Sequence, residues 1–222
     1  MCQSALRGIL RFLGVCDDEA PEIYRARYAR FPASQTVPSL LRQVVASAGA
    51  ELDPKQVYVR ASRKFPLHFL HSTLRNGGLS PATYYFEVDG EAVKRVFVHW
   101  SLDQTLEGPG GHCHGGCLAA LMDDAFGAFT NTYLRSRGRS GRAVTAFLHV
   151  DYKAPTPLPS EMVCVVTLDQ FQGRKIFLKG HAVTRKAPLQ HACEATALFV
   201  ELKEKLEETS VEKVDGAGAH NA

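Results

Sequence analysis

One segment constrains the fold of this chain more than any other, the stretch GPGGHCHGGCLAALMDDAFGAFTNTYLR at residues 108–135. A glycine-rich loop leads into a run whose apolar residues recur at steps of three and four, which predicts a helix. Small or apolar residues fill most of the remaining positions, as in a helix that is buried on nearly all sides. The recurring apolar residues are Leu118, Leu121, Met122, Ala125, Phe126 and Phe129.

Two adjacent carboxylates, Asp123 and Asp124, lie in the middle of this apolar helix. Burying a carboxylate costs free energy unless it is paired or hydrogen-bonded, so we infer a chemical role for one of them. The two differ by about 100° around the helix, and the residues alone do not choose between them. The helix start offers unpaired backbone amides and the positive end of the helix dipole, which suit a developing oxyanion.

The composition is that of a globular protein and excludes several classes. The chain has 222 residues, of which 45% are hydrophobic and 22% charged, and its net charge of +3 is too small to indicate nucleic-acid binding. No apolar run reaches the roughly 20 residues that a membrane span requires. Six cysteines form no CxxC pair and no regular framework, which predicts free thiols in a reducing compartment.

Residues 1–80 are predicted to form a helical extension. Residues 1–16 contain two arginines and no acid, which fits an amphipathic helix or a short organellar presequence, so the localisation stays open between cytoplasm and mitochondrion. Residues 17–56 are predicted to be helical, with an amphipathic helix that starts near Ser39 and stops near Gly49. Residues 57–80 are predicted to be irregular, and residues 204–222 to form a flexible tail.

The pattern changes to strands at residue 81. Two strands flank Asp89-Gly90, a hairpin signal, and four more follow the helix, where we expect a meander. We therefore predict an α+β domain at 81–203, a curved antiparallel sheet of five to six strands wrapped round one long central helix. Such a sheet leaves an apolar face, which favours a dimer. The predicted strands are 83–88, 91–100, 143–152, 161–170, 175–186 and 190–202.

Four motifs in a fixed order resemble the HGG-type acyl-CoA thioesterases of the hotdog fold, which include PaaI-like proteins and the thioesterase superfamily member 4 and 5 subgroup. The likeness covers about half of the chain, roughly 82–203. It implies hydrolysis of fatty acyl-CoA to a free fatty acid and coenzyme A, without a cofactor, by a homodimer or a dimer of dimers. The motifs are LEGPGGHCHGGCLAALMDD at 106–124, VTAFLHVDYKAPTPLP at 144–159, QGRKIFLKG at 172–180 and EATALFVEL at 194–202.

The resemblance also implies roles for five residues. It selects Asp123, nine residues after His114, as a general base that activates water or as a nucleophile that attacks the thioester. It favours the amide of Gly115, before that of Gly116, as the donor to the carbonyl oxygen. His114 would orient the loop or donate to the thioester, and a hydrogen bond to the loop backbone alone is the open alternative. Thr145 would help to place the nucleophilic water, and an ordinary β-branched strand residue is the open alternative.

Four further residues match positions that contact coenzyme A in the relatives: Asp151, Lys153, Arg174 and Lys175. Lysine and arginine suit the phosphates of coenzyme A. The relatives more often carry asparagine at position 151, so the aspartate weakens the expectation for that contact. Some relatives also carry a carboxamide six residues before the histidine. That position is Gly108 here, so the role is unfilled or passes to Glu107.

Three alternative functions compete with hydrolysis. A zinc site built from His112, Cys113, His114 and Cys117 would require the glycine loop to fold back on itself. A second alternative is an acyl-CoA-binding protein that acts as a sensor or partner without catalysis, against which the retained Asp123 argues. A third is a hydratase of enoyl-CoA, but such enzymes rely on an Asp/His pairing that the sequence lacks.

Overall fold

The computed structural model describes residues 28–30, 34–60, 78–80, 82–89, 92–185 and 188–203. The predicted presequence at 1–16, the tail at 204–222 and Gly90 of the predicted hairpin turn lie outside the described residues. Within the described ranges, no helix combines the length and the apolar character needed to cross a membrane.

The fold is an eight-stranded antiparallel sheet that packs around one long helix, as predicted for the central domain. The sheet order is β1-β2-β3-β4-β6-β7-β8-β5, and the long helix α2 contacts the five strands from β4 to β8. The hotdog fold class is confirmed, and the six strands β3 to β8 are those expected. The elements are β1 (Tyr28–Arg30), α1 (Ser39–Ser47), β2 (Val57–Arg60), β3 (Thr83–Asp89), β4 (Ala92–Leu102), α2 (Gly115–Ser136), β5 (Ala143–Tyr152), β6 (Ser160–Gln172), β7 (Lys175–Thr184) and β8 (Gln190–Glu201).

The core lies between α2 and the inner face of the sheet. Leu121, Met122 and Phe126 are fully buried there. Gly180 of β7 lets the helix approach closely, because a Cβ at this position would lie 2.6 Å from the carbonyl oxygen of Val165 and 3.2 Å from the ring of Phe126. The apolar spacing of α2 therefore predicts correctly which of its sides enters the core.

The prediction that α2 is buried on nearly all sides is wrong for a single chain. A stripe of partly or fully exposed positions runs along the helix at steps of three and four: Gly116, Ala120, Asp123, Gly127 and Asn131. The edge strand β5, which packs beside α2, exposes Val144, Phe147 and Tyr152 by 48%, 46% and 50%. The helix stripe and β5 together leave one side of the core open, because none of the strands in the described residues covers it.

The predicted four-stranded meander is also wrong. Strands β6, β7 and β8 follow one another, but β5 pairs with β8 at the far edge, and β6 pairs with β4. The proline-rich connection at 153–159 carries the chain from one edge back to the middle of the sheet. It passes the glycine loop on the way, where the amide of Cys113 donates to the carbonyl of Thr156 over 2.8 Å. Sequence order thus differs from sheet order at two connections, from β4 through α2 to β5 and from β5 back to β6.

The described part of the N-terminal extension, at 28–30, 34–60 and 78–80, contains strands as well as a helix. Helix α1 forms as predicted and buries Leu40, Leu41, Val44 and Val45 against the outer face of the sheet. However, Val57–Arg60 forms β2 rather than an irregular segment, and Tyr28–Arg30 forms β1. Both strands extend the β3 edge, since Val57 and Tyr58 bury their side chains there.

Candidate active site

The glycine loop before α2 is held by its own side chains. Glu107 accepts a hydrogen bond from the amide of Gly111 over 2.7 Å. A Cβ at Gly108 would lie only 3.0 Å from the Cα of His114, so this position holds a glycine because the two backbones pass closely. The carboxylate of Glu107 therefore stabilises the loop, and position 108 has no room for the carboxamide of the relatives.

His114 caps the first turn of α2. Its Nδ1 accepts a hydrogen bond from the amide of Gly116 over 3.0 Å, so the neutral ring carries its hydrogen on Nε2. Within the described residues no acceptor takes the amide hydrogen of Gly115, whereas its carbonyl accepts from the Tyr152 hydroxyl over 2.8 Å. The free amide at the helix start thus belongs to Gly115. The sequence reasoning missed Tyr152, although it directly precedes Lys153 in the second motif.

The two carboxylates of α2 face different strands. Oδ1 of Asp123 accepts a hydrogen bond from the hydroxyl of Thr145 in β5 over 2.8 Å, and this pair lies on the open side of the helix. Oδ2 of Asp124 accepts from the hydroxyl of Tyr84, a fully buried residue of β3, over 3.3 Å. Asp123 is therefore the carboxylate that an incoming molecule reaches from the open side.

A β-bulge sets the direction of Thr145. The pairing of β5 with β8 shifts by one residue between Thr145 and Phe147, so Ala146 has no partner. Side chains alternate between the two faces of a strand, and an extra residue reverses this alternation. The bulge thus allows Thr145 to face α2 together with Leu148 and Tyr152 of the same strand.

The structure collects the predicted catalytic residues into two groups. One group contains His114, Gly115 and Gly116 at the start of α2, and the other contains Asp123 and Thr145. Eight residues of helix separate Gly115 from Asp123, which corresponds to about 12 Å at 1.5 Å per residue. The two groups of one chain are therefore too far apart to act on the same carbonyl group.

The four predicted coenzyme A contacts also form two groups. Asp151 of β5 lies opposite Glu194 of β8, and Lys175 of β7 lies opposite Val200 of β8. Glu194 and Val200 are six residues apart along β8, so the two groups lie about 20 Å apart. Arg174 donates to the carbonyl of Glu201 over 3.1 Å, and both Arg174 and Lys175 are exposed. This group lies at the Thr145 end of β5, since Thr145 pairs with Phe199.

Lys153 is already paired with acids. It forms an ion pair with Asp151 and a second one with Glu194 at 3.3 Å. The hydrogen bonds to Asp151 and Glu194 raise the pKa of Lys153, and the hydrogen bond from Lys153 lowers the pKa of Asp151. The group carries one positive and two negative charges, so it attracts a phosphate less than Arg174 and Lys175 do.

A cavity of about 830 Å³ lies on the outer face of the sheet, between α1 and strands β5, β7 and β8. His149, His181 and His191 line it together with Asp151 and Glu194. Neither Asp123 nor the glycine loop contributes to its wall, because both lie on the inner side of the sheet. In the part of the chain that the structure describes, no group of three or more histidine, cysteine or acidic side chains is placed to hold a metal ion.

Comparisons with known proteins confirm the resemblance. Residues 110–189 match the family model described as "Thioesterase superfamily". The chain is 39% identical over 112 residues to "Acyl-coenzyme A thioesterase THEM4" of Xenopus laevis, across 50% of this chain and 47% of that relative. It is 33% identical over 105 residues to the human "Acyl-coenzyme A thioesterase THEM5", across 47% and 39%. The chain thus spans about half the length of these relatives, or less.

The chain was also compared with solved structures. The PaaI protein of E. coli, from the phenylacetic acid degradation operon, aligns with a TM-score of 0.43 and 14% identity, across 49% of this chain and 73% of that chain.

Proposed function

We propose, on the premise that residues 110–189 carry a domain of the thioesterase superfamily, that the protein hydrolyses fatty acyl-CoA thioesters to a free fatty acid and coenzyme A. The observation that supports this most directly is the hydrogen bond between Asp123 and Thr145, which holds a carboxylate on the open side of a largely buried helix. Acids in such surroundings are uncommon without a chemical role.

The chemistry divides between the two groups of residues. The amide of Gly115, at the positive end of the α2 dipole, donates to the carbonyl oxygen of the thioester as negative charge develops there. Asp123 takes a proton from the attacking water as a general base, or attacks the carbonyl carbon itself to form an anhydride that water then opens. Thr145 holds the carboxylate in place. Each route cleaves the same C–S bond and releases coenzyme A as its thiol.

Two chains complete each active site in this proposal. The Gly115 amide and the Asp123 carboxylate of one chain lie about 12 Å apart, farther than one thioester carbonyl can span. Asp123 lies on the open stripe of α2 beside the exposed edge strand β5, where a second copy of the chain covers both. The start of α2 in one subunit then meets Asp123 of the other.

Coenzyme A adds a requirement for positive charge. Arg174 and Lys175 are exposed at the end of the sheet that also holds Thr145. We assign the phosphates to these two side chains, since Lys153 is compensated by two acids. A contact of Asp151 and Lys153 with coenzyme A remains a prediction from the resemblance.

The first experiment compares the two neighbouring carboxylates. Loss of thioester absorbance is measured with acyl-CoAs of several chain lengths for the wild type, Asp123→Asn and the matched variant Asp124→Asn. We expect Asp123→Asn to lose most of kcat, while Asp124→Asn lowers mainly stability, because Asp124 is hydrogen-bonded to a core tyrosine. Equal rates for the wild type and Asp123→Asn would refute the assigned role. Tight binding without hydrolysis of any acyl-CoA would instead favour the acyl-CoA sensor.

A second experiment tests the shared site. Gly115→Pro removes the amide hydrogen at the first helical position, where proline is tolerated, and His114 before it already has extended backbone angles of −60° and 132°. We expect Gly115→Pro and Asp123→Asn to be inactive separately. After unfolding and refolding together, half of the dimers are mixed and half of their sites are intact, which restores about a quarter of the wild-type rate. No recovery, although mixed dimers form, would place both groups in one subunit.

A further inference from the structure

Tyr152 lies at the end of β5 and contacts the first residue of α2. Its hydroxyl donates a hydrogen bond to the carbonyl oxygen of Gly115 over 2.8 Å. A Cβ built on Gly115 would lie 3.4 Å from both Cζ and the hydroxyl oxygen of Tyr152, so the phenol also packs against the backbone of Gly115. The tyrosine is nevertheless half-exposed, so this contact contributes less to the core than to the position of the helix start.

The peptide unit between Gly115 and Gly116 is held at both ends. Its carbonyl accepts from the hydroxyl of Tyr152, and its N–H donates to Nδ1 of His114 over 3.0 Å. The helix start requires glycine here, because a Cβ on Gly116 would lie only 3.1 Å from the His114 ring. Two successive glycines leave a backbone loosely defined unless other groups restrain it. His114 supplies this restraint from the loop, and Tyr152 supplies it from the sheet.

This restraint acts on the residue whose amide the proposed function uses. The amide of Gly115 is the donor that we assign to the carbonyl oxygen of the thioester. In the preceding peptide unit, the carbonyl of His114 accepts from the amides of Cys117 and Leu118 over 2.9 and 3.2 Å. Those two bonds lie within the first turn of α2, whereas the bond from Tyr152 ties that turn to β5. Tyr152 therefore helps to fix the position of Gly115 relative to the sheet.

We propose that Tyr152 is a positioning residue for thioester hydrolysis, whose hydroxyl holds Gly115 where its amide meets the carbonyl oxygen of the substrate. The inference rests on the proposed function, because it concerns the same site. Tyr152 acts through Gly115 and not by contact with the reacting atoms. A displacement of about 1 Å at a reacting group costs about a hundredfold in rate, so a restraint on the donor bears directly on the rate.

Strand β5 then aligns both groups of the proposed site. Thr145 near its beginning holds Asp123, and Tyr152 at its end holds Gly115. The bulge at Ala146 allows both side chains of this strand to face α2. Gly115 and Asp123 of one chain serve different active sites in our proposal, so each β5 aligns one group in each of the two sites.

Tyr152→Phe removes the hydroxyl and keeps the ring that packs on Gly115. The carbonyl oxygen gains charge in the transition state, so a misplaced donor lowers kcat more than it changes KM. We expect kcat to fall about tenfold, less than the roughly 10²–10³-fold loss without the donor, and KM to stay within about twofold of the wild type. Tyr85→Phe is the matched control, since the Tyr85 hydroxyl donates over 2.8 Å to the carbonyl of Glu51 at the outer face of the sheet, and its kcat should equal that of the wild type. A raised KM with wild-type kcat in Tyr152→Phe would make Tyr152 a substrate contact and overturn the proposal.

A double-mutant cycle separates positioning from a general loss of stability. Gly115→Pro removes the amide hydrogen that Tyr152 is proposed to position. In the Gly115→Pro background, Tyr152→Phe should therefore lower the residual kcat by less than about twofold, because no donor is left to misplace. A purely structural role for the tyrosine would lower kcat by the same factor in both backgrounds, and that result would overturn the proposal.

An NMR measurement follows the Gly115 amide without any assay of activity. Gly115 is the only glycine of the chain that directly follows a histidine. Labelling the histidine carbonyls with carbon-13 and glycine with nitrogen-15 therefore leaves one amide signal in a carbonyl-selected spectrum. We expect Tyr152→Phe to move this signal and Tyr85→Phe to leave it in place; an unmoved signal in Tyr152→Phe would overturn the proposal. If the wild type hydrolyses no acyl-CoA, the proposed function fails, and the spectrum still decides whether Tyr152 holds Gly115.

Discussion

The hydroxyl of Thr145 permits a quantitative test of the Asp123 site. Thr145→Val keeps the shape of the side chain but removes the donor that lies 2.8 Å from Oδ1 of Asp123. A hydrogen bond to a charged group contributes about 1.5–3 kcal/mol, and we take the lower end because Thr145 is exposed. A loss of about 1.4 kcal/mol corresponds to a tenfold lower rate. We therefore expect kcat/KM of Thr145→Val to fall about tenfold.

Two controls accompany this measurement of acyl-CoA hydrolysis. Thr145→Ser retains the hydroxyl and should restore most of the rate. Tyr84→Phe removes the corresponding donor to Asp124 and should leave kcat/KM near that of the wild type, while it lowers the free energy of unfolding by about 1 kcal/mol. Wild-type kcat/KM for Thr145→Val, or equal losses for the valine and serine variants, would show that the hydroxyl does not position the carboxylate.

Three further predictions concern the sheet and its charges. Gly180→Ala should lower the free energy of unfolding by about 1–3 kcal/mol in denaturant titrations, because the new methyl group would lie 2.6 Å from the Val165 carbonyl oxygen; an unchanged midpoint would contradict this packing. Arg174→Ala and Lys175→Ala should raise KM for acyl-CoA, and the difference in KM from the wild type should shrink as salt is added. A rise in KM that salt does not affect would argue against a phosphate contact. Burial lowers the pKa of His181, so the unfolded chain binds more protons than the folded chain below about pH 6.5. The stability of the fold should therefore decline as the pH falls from about 6.5 through the pKa of the folded state. The melting temperature of His181→Gln should fall less over that range than that of the wild type, and an equal fall would assign the effect to other groups.

Local patterns in the sequence predict the central part of the fold. The spacing of Leu121, Met122 and Phe126 identifies α2 and the side of it that enters the core. The Asp89 hairpin signal identifies β3 and β4, whose residues Asp89 and Ala92 pair. These features depend on residues close in sequence, so periodicity and turn chemistry reveal them.

The arrangement of segments that are distant in sequence cannot be predicted from such local patterns. The position of β5 beside β8, instead of beside β6, depends on which pair of edges buries more surface, and no local pattern records this choice. The bulge at Ala146 likewise leaves no signal in the sequence, since the residues from Ala143 to Tyr152 alternate like those of an ordinary strand. Without the bulge, alternation would turn Thr145 away from α2.

The choice between the two carboxylates shows how such long-range features decide a site. Asp123 and Asp124 are chemically alike and differ only by about 100° around one helix. That rotation turns Asp124 toward the buried hydroxyl of Tyr84 and Asp123 toward Thr145 at the open edge. Asp124 is held by a hydrogen bond from a buried tyrosine, whereas Asp123 lies at the open edge, which a second subunit covers in our proposal. The same opening that exposes β5 therefore makes Asp123 the reactive carboxylate in our proposal, and the distance to Gly115 makes the second subunit necessary.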